Sequence, residues 1–464
     1  MDILVLVDNS SDTAEEQATL AMNFPLLLDS ILDPPLDPVT GLPVHVPVDD
    51  LHIGVIDQNV GTGGYVVETC DDPVDGDNGE LQHTPSSTFP PGTCDPPYPP
   101  YLEYDCTGTA CPDEAAIYWM SVGFGCIGIL GHEGCGMEQP LESARRSLID
   151  NMAPGGPNAG FLREDSILMI IWLSDEDDCS VAPGNEEFFD STSTEMGPIQ
   201  LRCFRYPEML VEVDDYIEAF RSLRDDPGKL LQGFIVGVPK DPACEGSGDA
   251  IAGCLDHPDM QETIDPLIPS RILPGCREGI GGLAAPPRRL VEVALEFGPS
   301  ARVVSICNND LRSAIDSFAS MLHEAVDAVP DWIDPVAASA DPGDPCLCLA
   351  PCRVVEALSD TRACEPGRPC WETEPGESCA PPWLDPDGNE HTLCEIPQAG
   401  TRMDPCGLSC DEEGVAHEAE GAGWYYLGPG WIDEAGRTVT DPEIRATGGF
   451  EPAAGSDVYV ACCM

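Results

Sequence analysis

The side chains of this sequence best suited to chemistry are oxygens placed where an apolar run stops. Ile3-Leu4-Val5-Leu6-Val7 ends at Asp8-Asn9-Ser10-Ser11-Asp12, and Ile167 to Leu173 ends at Ser174-Asp175-Glu176-Asp177-Asp178-Cys179. A hard divalent cation takes several oxygen ligands held at fixed geometry, and loops at the edge of a rigid sheet can supply them. Other constellations have plainer readings. His132 lies three residues before Cys135, a spacing open to a thiol and its base, but in an oxidising compartment such a cysteine is half of a disulfide. Cys346-x-Cys348-x3-Cys352 lacks a nearby histidine and has eight further cysteines downstream, so disulfides are expected there in place of zinc. The acidic runs at 71–80 and 385–389 read as solvated turns.

The elements that must position these oxygens alternate. An unbroken apolar run of this length is a strand buried on both faces, as in a parallel sheet. After Ile3 to Val7 a helix is expected over 14–32, with Glu15 and Glu16 in its first turn. A second strand is expected at 51–56, then a helix at 114–124, another led into by 134–142 and ending near 149, and a strand at 166–174. A helix at 216–223, strand at 231–238, helix at 289–297, strand at 301–307 and helix at 311–326 follow. The alternation specifies an α/β fold: a doubly wound, mainly parallel sheet, in which ligands bind outside the carboxyl ends of the strands. Asp8 and Asp175 then converge on one edge despite their separation in sequence. Gly-, Pro- and Cys-rich segments at about 60–112, 180–212 and 240–286 interrupt the pattern and are expected to be disulfide-rich insertions, the first a small stapled subdomain.

Asp8-x-Ser10-x-Asp12 resembles the D-x-S-x-S loop of the von Willebrand factor type A (VWA) family, with Asp12 in place of the family's last serine. The ending Leu173-Ser174-Asp175 is similar to that family's acid-bearing strand end. The resemblance covers about residues 1–330 and implies a Rossmann-like sheet with a metal-ion-dependent adhesion site built from three loops. In that site the first loop contributes Asp8, Ser10 and Asp12, and the third contributes Asp175. The second loop normally brings a threonine. No threonine occurs from Cys126 to Leu162, and Glu138 is the best-placed oxygen. Four carboxylates with Ser10 favour calcium, which tolerates many irregular oxygen ligands, over magnesium, which demands an octahedron. Gly134-Cys135-Gly136, Ser174 to Cys179 and Gly423-Trp424-Tyr425-Tyr426 are also similar to segments of secreted, cysteine-rich bacterial proteins of that family.

Composition narrows the partners. Lysine and arginine number 21 against 83 acids, a formal net charge of −62, so nucleic acid and anionic membranes are expected to be repelled. Twenty-three cysteines indicate an exported protein, at the cell surface or outside it. No basic and apolar leader precedes the first strand, so a secretory signal is expected to lie outside this sequence, and no apolar run is long enough to span a bilayer. Residues 331–464 lose helical periodicity and carry eleven of the cysteines. They are expected to form a separate small cysteine-rich domain, β or irregular, with short strands at 423–427 and 457–461. The expected function is non-enzymatic: recognition or adhesion, binding a protein partner through the metal edge. The alternative is a cell-surface scaffold that has lost its metal. Twelve cysteines before residue 331 and eleven after it leave at least one unpaired, Cys462 or Cys463 being expected. Mass spectrometry of the unreduced, alkylated protein should therefore find about one free thiol, and more than about five would contradict export.

Overall fold

The computed structural model describes residues 1–328 except 11–12, 37–42, 68, 71, 87–88, 91–92, 95–96, 107–110, 133, 278–281 and 309; beyond 328 it describes only the backbone of strands. The chain divides into two compact units, Met1–Val326 and Asp327–Met464.

The first unit is built on a six-stranded sheet in the order β3-β2-β1-β4-β5-β8. Its central strand, β1 (Asp2–Val7), is buried along its whole length, because both faces of the sheet are covered by helices. Helix α1 (Ala14–Leu32) returns over the sheet, and β2 (Asp50–Ile56) pairs parallel to β1, Ile3 opposite Ile53. On the other side of β1 lies β4 (Leu168–Ser174), also parallel, with Val7 opposite Leu173. The sheet therefore changes direction of growth between β1 and β4, and the loops leaving these strands separate above their carboxyl ends. Parallel strands β5 (Leu230–Val236) and β8 (Ala301–Ser305) complete that side.

Strand β3 (Leu102–Asp105) runs antiparallel to β2 and closes the far edge. It lies inside the segment 60–112, so that segment is not the self-contained stapled subdomain its composition suggests. Four residues of alternating burial carry too little pattern to announce a strand. Its disulfides also reach outward. Cys70 pairs with Cys135 and Cys94 with Cys126, and only Cys106–Cys111 is internal. The remaining pairs are Cys179–Cys203, Cys244–Cys254 and Cys276–Cys307, so every cysteine of this unit is oxidised.

On one face α3 (Pro140–Arg145, continued by a wider turn over 146–150), α5 (Val213–Arg221) and α6 (Arg288–Phe297) pack over Leu4, Leu6, Ile170, Trp172 and Phe234. The other face carries α1 and α2 (Glu114–Ile127), joined through stacked Phe24 and Phe124, and α7 (Arg312–Ala328). Gly233 lets Phe318 of α7 onto β5, since a Cβ there would lie 2.8 Å from that ring. Short helix α4 (Arg202–Arg205) and the two-residue strands β6 (Cys276–Arg277) and β7 (Leu283–Ala284) belong to the later insertions. Among the described residues no helix is long and apolar enough to cross a membrane.

In the second unit β9 (Cys352–Ala357) pairs antiparallel with β12 (Leu393–Ile396) and β17 (Asp457–Cys462), with Cys462 opposite Cys352. Further antiparallel pairs are β10 (Trp383–Leu384) with β11 (Glu390–His391), β13 (Leu408–Cys410) with β14 (Ala416–Glu418), and β15 (Gly423–Leu427) with β16 (Glu443–Thr447). The strands expected around 423–427 and 457–461 are thus present. The Cys346, Cys348 and 385–389 segments lie outside the described residues.

Trp172 is fully buried, stacked on Phe234, edge-on to Phe220, and donates to Gln232 Oε1 at 2.8 Å. Trp172→Ala removes that packing and one buried hydrogen bond, so denaturant titration should register a loss of about 3–5 kcal/mol.

Candidate functional site

Strand pairing places the candidate oxygens. The Asp8 amide donates to Leu173 O at 2.9 Å, which extends the β1–β4 ladder by one step and sets Asp8 beside Ser174. The Asp8 carboxylate is fully buried. Its Oδ1 accepts from the Ser10 amide at 2.8 Å and its Oδ2 from the Ser174 hydroxyl at 3.0 Å. The Asp8 carbonyl accepts from Thr13 Oγ1 and Gln17 Nε2, both at 2.7 Å, so the turn into α1 is tied down without a side-chain cap.

Gln17 also holds the middle loop. Its amide donates to Gly131 O at 2.7 Å and accepts from Gly131 N at 3.1 Å. Farther along that loop Gly134 donates to Asn9 O at 2.8 Å, and a Cβ on Gly134 would lie 2.0 Å from Asn9 Oδ1. Only glycine permits this approach. Next to it, Cys135 is anchored by Cys70. The loop then delivers Glu138, whose carbonyl accepts from Cys179 N at 2.7 Å and whose side chain is buried. Burial, repulsion from Glu176 and Asp8, and a hydrogen bond to the Glu176 carboxyl hold the Glu138 carboxyl well above the usual carboxylate range.

Four of the five expected site residues are described. Asp8 and Glu138 face one another electrostatically across the β1 and middle loops. Ser10 sits in the first loop, bonded to Asp8. Asp175, also buried, follows Ser174 on the same edge, its carbonyl accepting from Ala285 N at 2.7 Å. Asp12 lies outside the described residues. Neither helix entry uses Glu138 as a cap: α3 begins at Pro140 after Gln139, and its Leu141 amide is met by Asp178 Oδ1 at 2.9 Å. Asp177 receives the first amides of α6, from Arg289 at 3.1 Å.

Sequence reasoning passed over three contributors. Glu176, the residue after Asp175, is the direct partner of Glu138. Asp57 and Gln58 follow β2, so a third buried strand ends at this edge in an acid, as the other two do at Asp8 and Asp175. That repeated ending was the available signal. Gln58 is fully buried. Its carbonyl accepts from Gln139 N at 3.2 Å and its Oε1 lies 3.5 Å from Ser174 Oγ. Asp57 Oδ1 accepts from Asn59 N at 3.0 Å and its Oδ2 from Asn9 Nδ2 at 3.2 Å. Burial, then the hydrogen bond to Asp77 and that residue's charge, hold the Asp57 carboxyl well above its ordinary range, against the pull of Asn59 and Asn9.

Among the described residues, no group of three or more His, Cys, Asp and Glu side chains gathers as a metal cluster. Carboxyls alone do not make a cation site here, so any cation must also draw on neutral oxygens such as those of Ser10 and Gln58. Searches against protein-family models, curated proteins and solved structures found no match for this chain.

Because Asp57 keeps its proton to higher pH when folded than when unfolded, the folded state holds more protons above the ordinary carboxylate range, and stability falls as pH rises through it. Asp57→Asn removes that loss. The Asn9 amide, whose Oδ1 lacks a partner, can turn to accept from the new amide. The melting temperature of Asp57→Asn should therefore decline less steeply than wild type between about pH 4 and pH 8. Equal slopes would assign the pH dependence to other groups.

Proposed function

We propose that this chain is an exported, non-enzymatic recognition or adhesion protein, with a fold of the VWA type, that binds a protein partner through a divalent cation at the carboxyl edge of its sheet. The observation carrying the reading is Asp8: a buried carboxylate at the point where the sheet reverses its order of growth, with Glu138 facing it. Among the described residues neither acid has an ion pair with Lys, Arg or His. Such an arrangement stores like charge that a cation relieves. The cation would draw together Asp8, Ser10, Glu138 and Asp175, whose acids do not stand as a preformed cluster, with Asp12 from the same first loop, and would present an open coordination position to an acidic group of the partner. A carboxylate-rich set of this kind suits calcium better than magnesium. Disulfides throughout the first unit support export. A second reading, a metal-free cell-surface scaffold, draws on the Glu138–Glu176 hydrogen bond, by which the acids satisfy one another without a cation.

A cation that binds only the folded state stabilises it by about 2.7 kcal/mol at a hundredfold excess over its dissociation constant. At fixed ionic strength, calcium should raise the melting temperature above a sodium control, and by more than magnesium does. Asp175→Ala should abolish this calcium-specific gain and keep the general salt response. A calcium gain that survives intact in Asp175→Ala would place the ion elsewhere, and no gain in wild type would favour the scaffold.

A further inference from the structure

Gln58 has no role in the sheet or in the loops through its side chain, yet it is fully enclosed. Its Nε2 has no hydrogen-bond partner. Its Oε1 lies 3.5 Å from Ser174 Oγ, but that hydroxyl has one proton and other acceptors, Asp8 Oδ2 at 3.0 Å and Glu176 O at 3.2 Å. The charged, nearer Asp8 oxygen takes the proton, because charge-assisted hydrogen bonds are the stronger ones. Gln58 Oε1 then faces the lone pairs of Ser174, acceptor against acceptor. Turning the amide over reverses this: Nε2 donates to Ser174 Oγ, and Oε1 becomes the enclosed atom without a partner. An enclosed amide oxygen without a partner, on a side chain that abuts the Ser174 hydroxyl holding Asp8 and whose backbone carbonyl receives the Gln139 amide, calls for a positive charge, while an enclosed amide with nothing to bind is a net cost.

We propose that Gln58 is a cation ligand: its amide oxygen supplies the neutral donor that the acids at this edge lack, completing for calcium a set begun by Asp8, Ser10 and Glu138. The inference rests on the cation-dependent reading above and adds a ligand from β2, a strand that the D-x-S-x-S resemblance does not involve. An amide oxygen lets the site add a ligand without adding a further like charge, and calcium accepts such mixed carboxylate and carbonyl shells. Ser174 then acts as the positioning residue, fixing the Asp8 carboxylate with its proton and the Gln58 amide with its lone pair.

Gln58→Leu tests the assignment, since leucine matches the volume without a polar atom. Calorimetric titration with calcium chloride and thermal melts, with and without calcium at fixed ionic strength, are compared with wild type. Calcium affinity is expected to fall by about tenfold or more, the least that removal of a ligand or its support costs a metal site. In chelator the variant should melt at the same temperature as wild type or higher, because the unsatisfied amide is gone, and in saturating calcium it should melt lower. That reversal of order distinguishes a ligand from a packing residue. Unchanged calcium affinity, or equal destabilisation in both conditions, overturns the proposal and leaves the cation-dependent reading standing. No calcium-specific response in wild type overturns both. Gln58→Glu supplies the check if the leucine variant does not fold: it keeps an oxygen and adds a charge, so it should bind calcium at least as tightly as wild type while melting lower in chelator. Weaker binding in that variant also overturns the assignment.

Discussion

Everything at the carboxyl edge depends on one pairing, β1 alongside β4 in parallel register. It sets Asp8 next to Ser174 and opens the crevice between loops that leave in opposite directions. A carboxylate in such a position has lost its water, so each of its oxygens must be met by a fixed donor. The Ser10 amide and Ser174 hydroxyl do this for Asp8. Glu138 meets the same demand by hydrogen bonding to a second carboxyl.

The opposite edge of the same sheet gives the contrast. There Asp2 is equally buried, and Arg163 binds it with its Nε and a terminal nitrogen at 2.8 and 2.6 Å, with Arg224 and His52 beyond. With 21 basic residues against 83 acids, arginines are scarce, and several of those described sit at acids the fold encloses or half-encloses: Arg163 at Asp2, Arg289 at Asp178, Arg145 and Arg146 at Glu142. Asp8 and Glu138 receive hydroxyls, amides and another acid instead. A structural acid is neutralised by a neighbouring arginine, whereas the Glu138 carboxyl is held well above the usual carboxylate range by burial and by the acids beside it.

Covalent and steric locks hold the middle loop in place. Cys70–Cys135 fastens the middle loop to the first insertion, Gly134 lets it close on Asn9, and Gln17 holds it against the start of α1. The insertion therefore serves the edge: β3 extends the sheet, and the segment before it reaches back to the loop that carries Glu138. A site assembled from loops gains rigidity in this way without burying more backbone.

Sequence by itself determined the α/β alternation and the meeting of Asp8 and Asp175 on one edge, because strands buried on both faces read as unbroken apolar runs and a parallel sheet puts their carboxyl ends together. Helix boundaries fell within a few residues for the same reason: α6 and α7 carry their apolar faces in their own periodicity. Strand β3 was hidden, since four residues with two buried side chains are too short to stand out from a Gly- and Pro-rich segment. Only tertiary structure decided that Glu138 is partnered by Glu176, that Gln58 sits enclosed beside Ser174, and that the first insertion's cysteines pair outward. Those contacts join residues from different strands and loops, and their partners are chosen by the spacing of the sheet and the closure of loops across it, distances that no local pattern of residue types encodes.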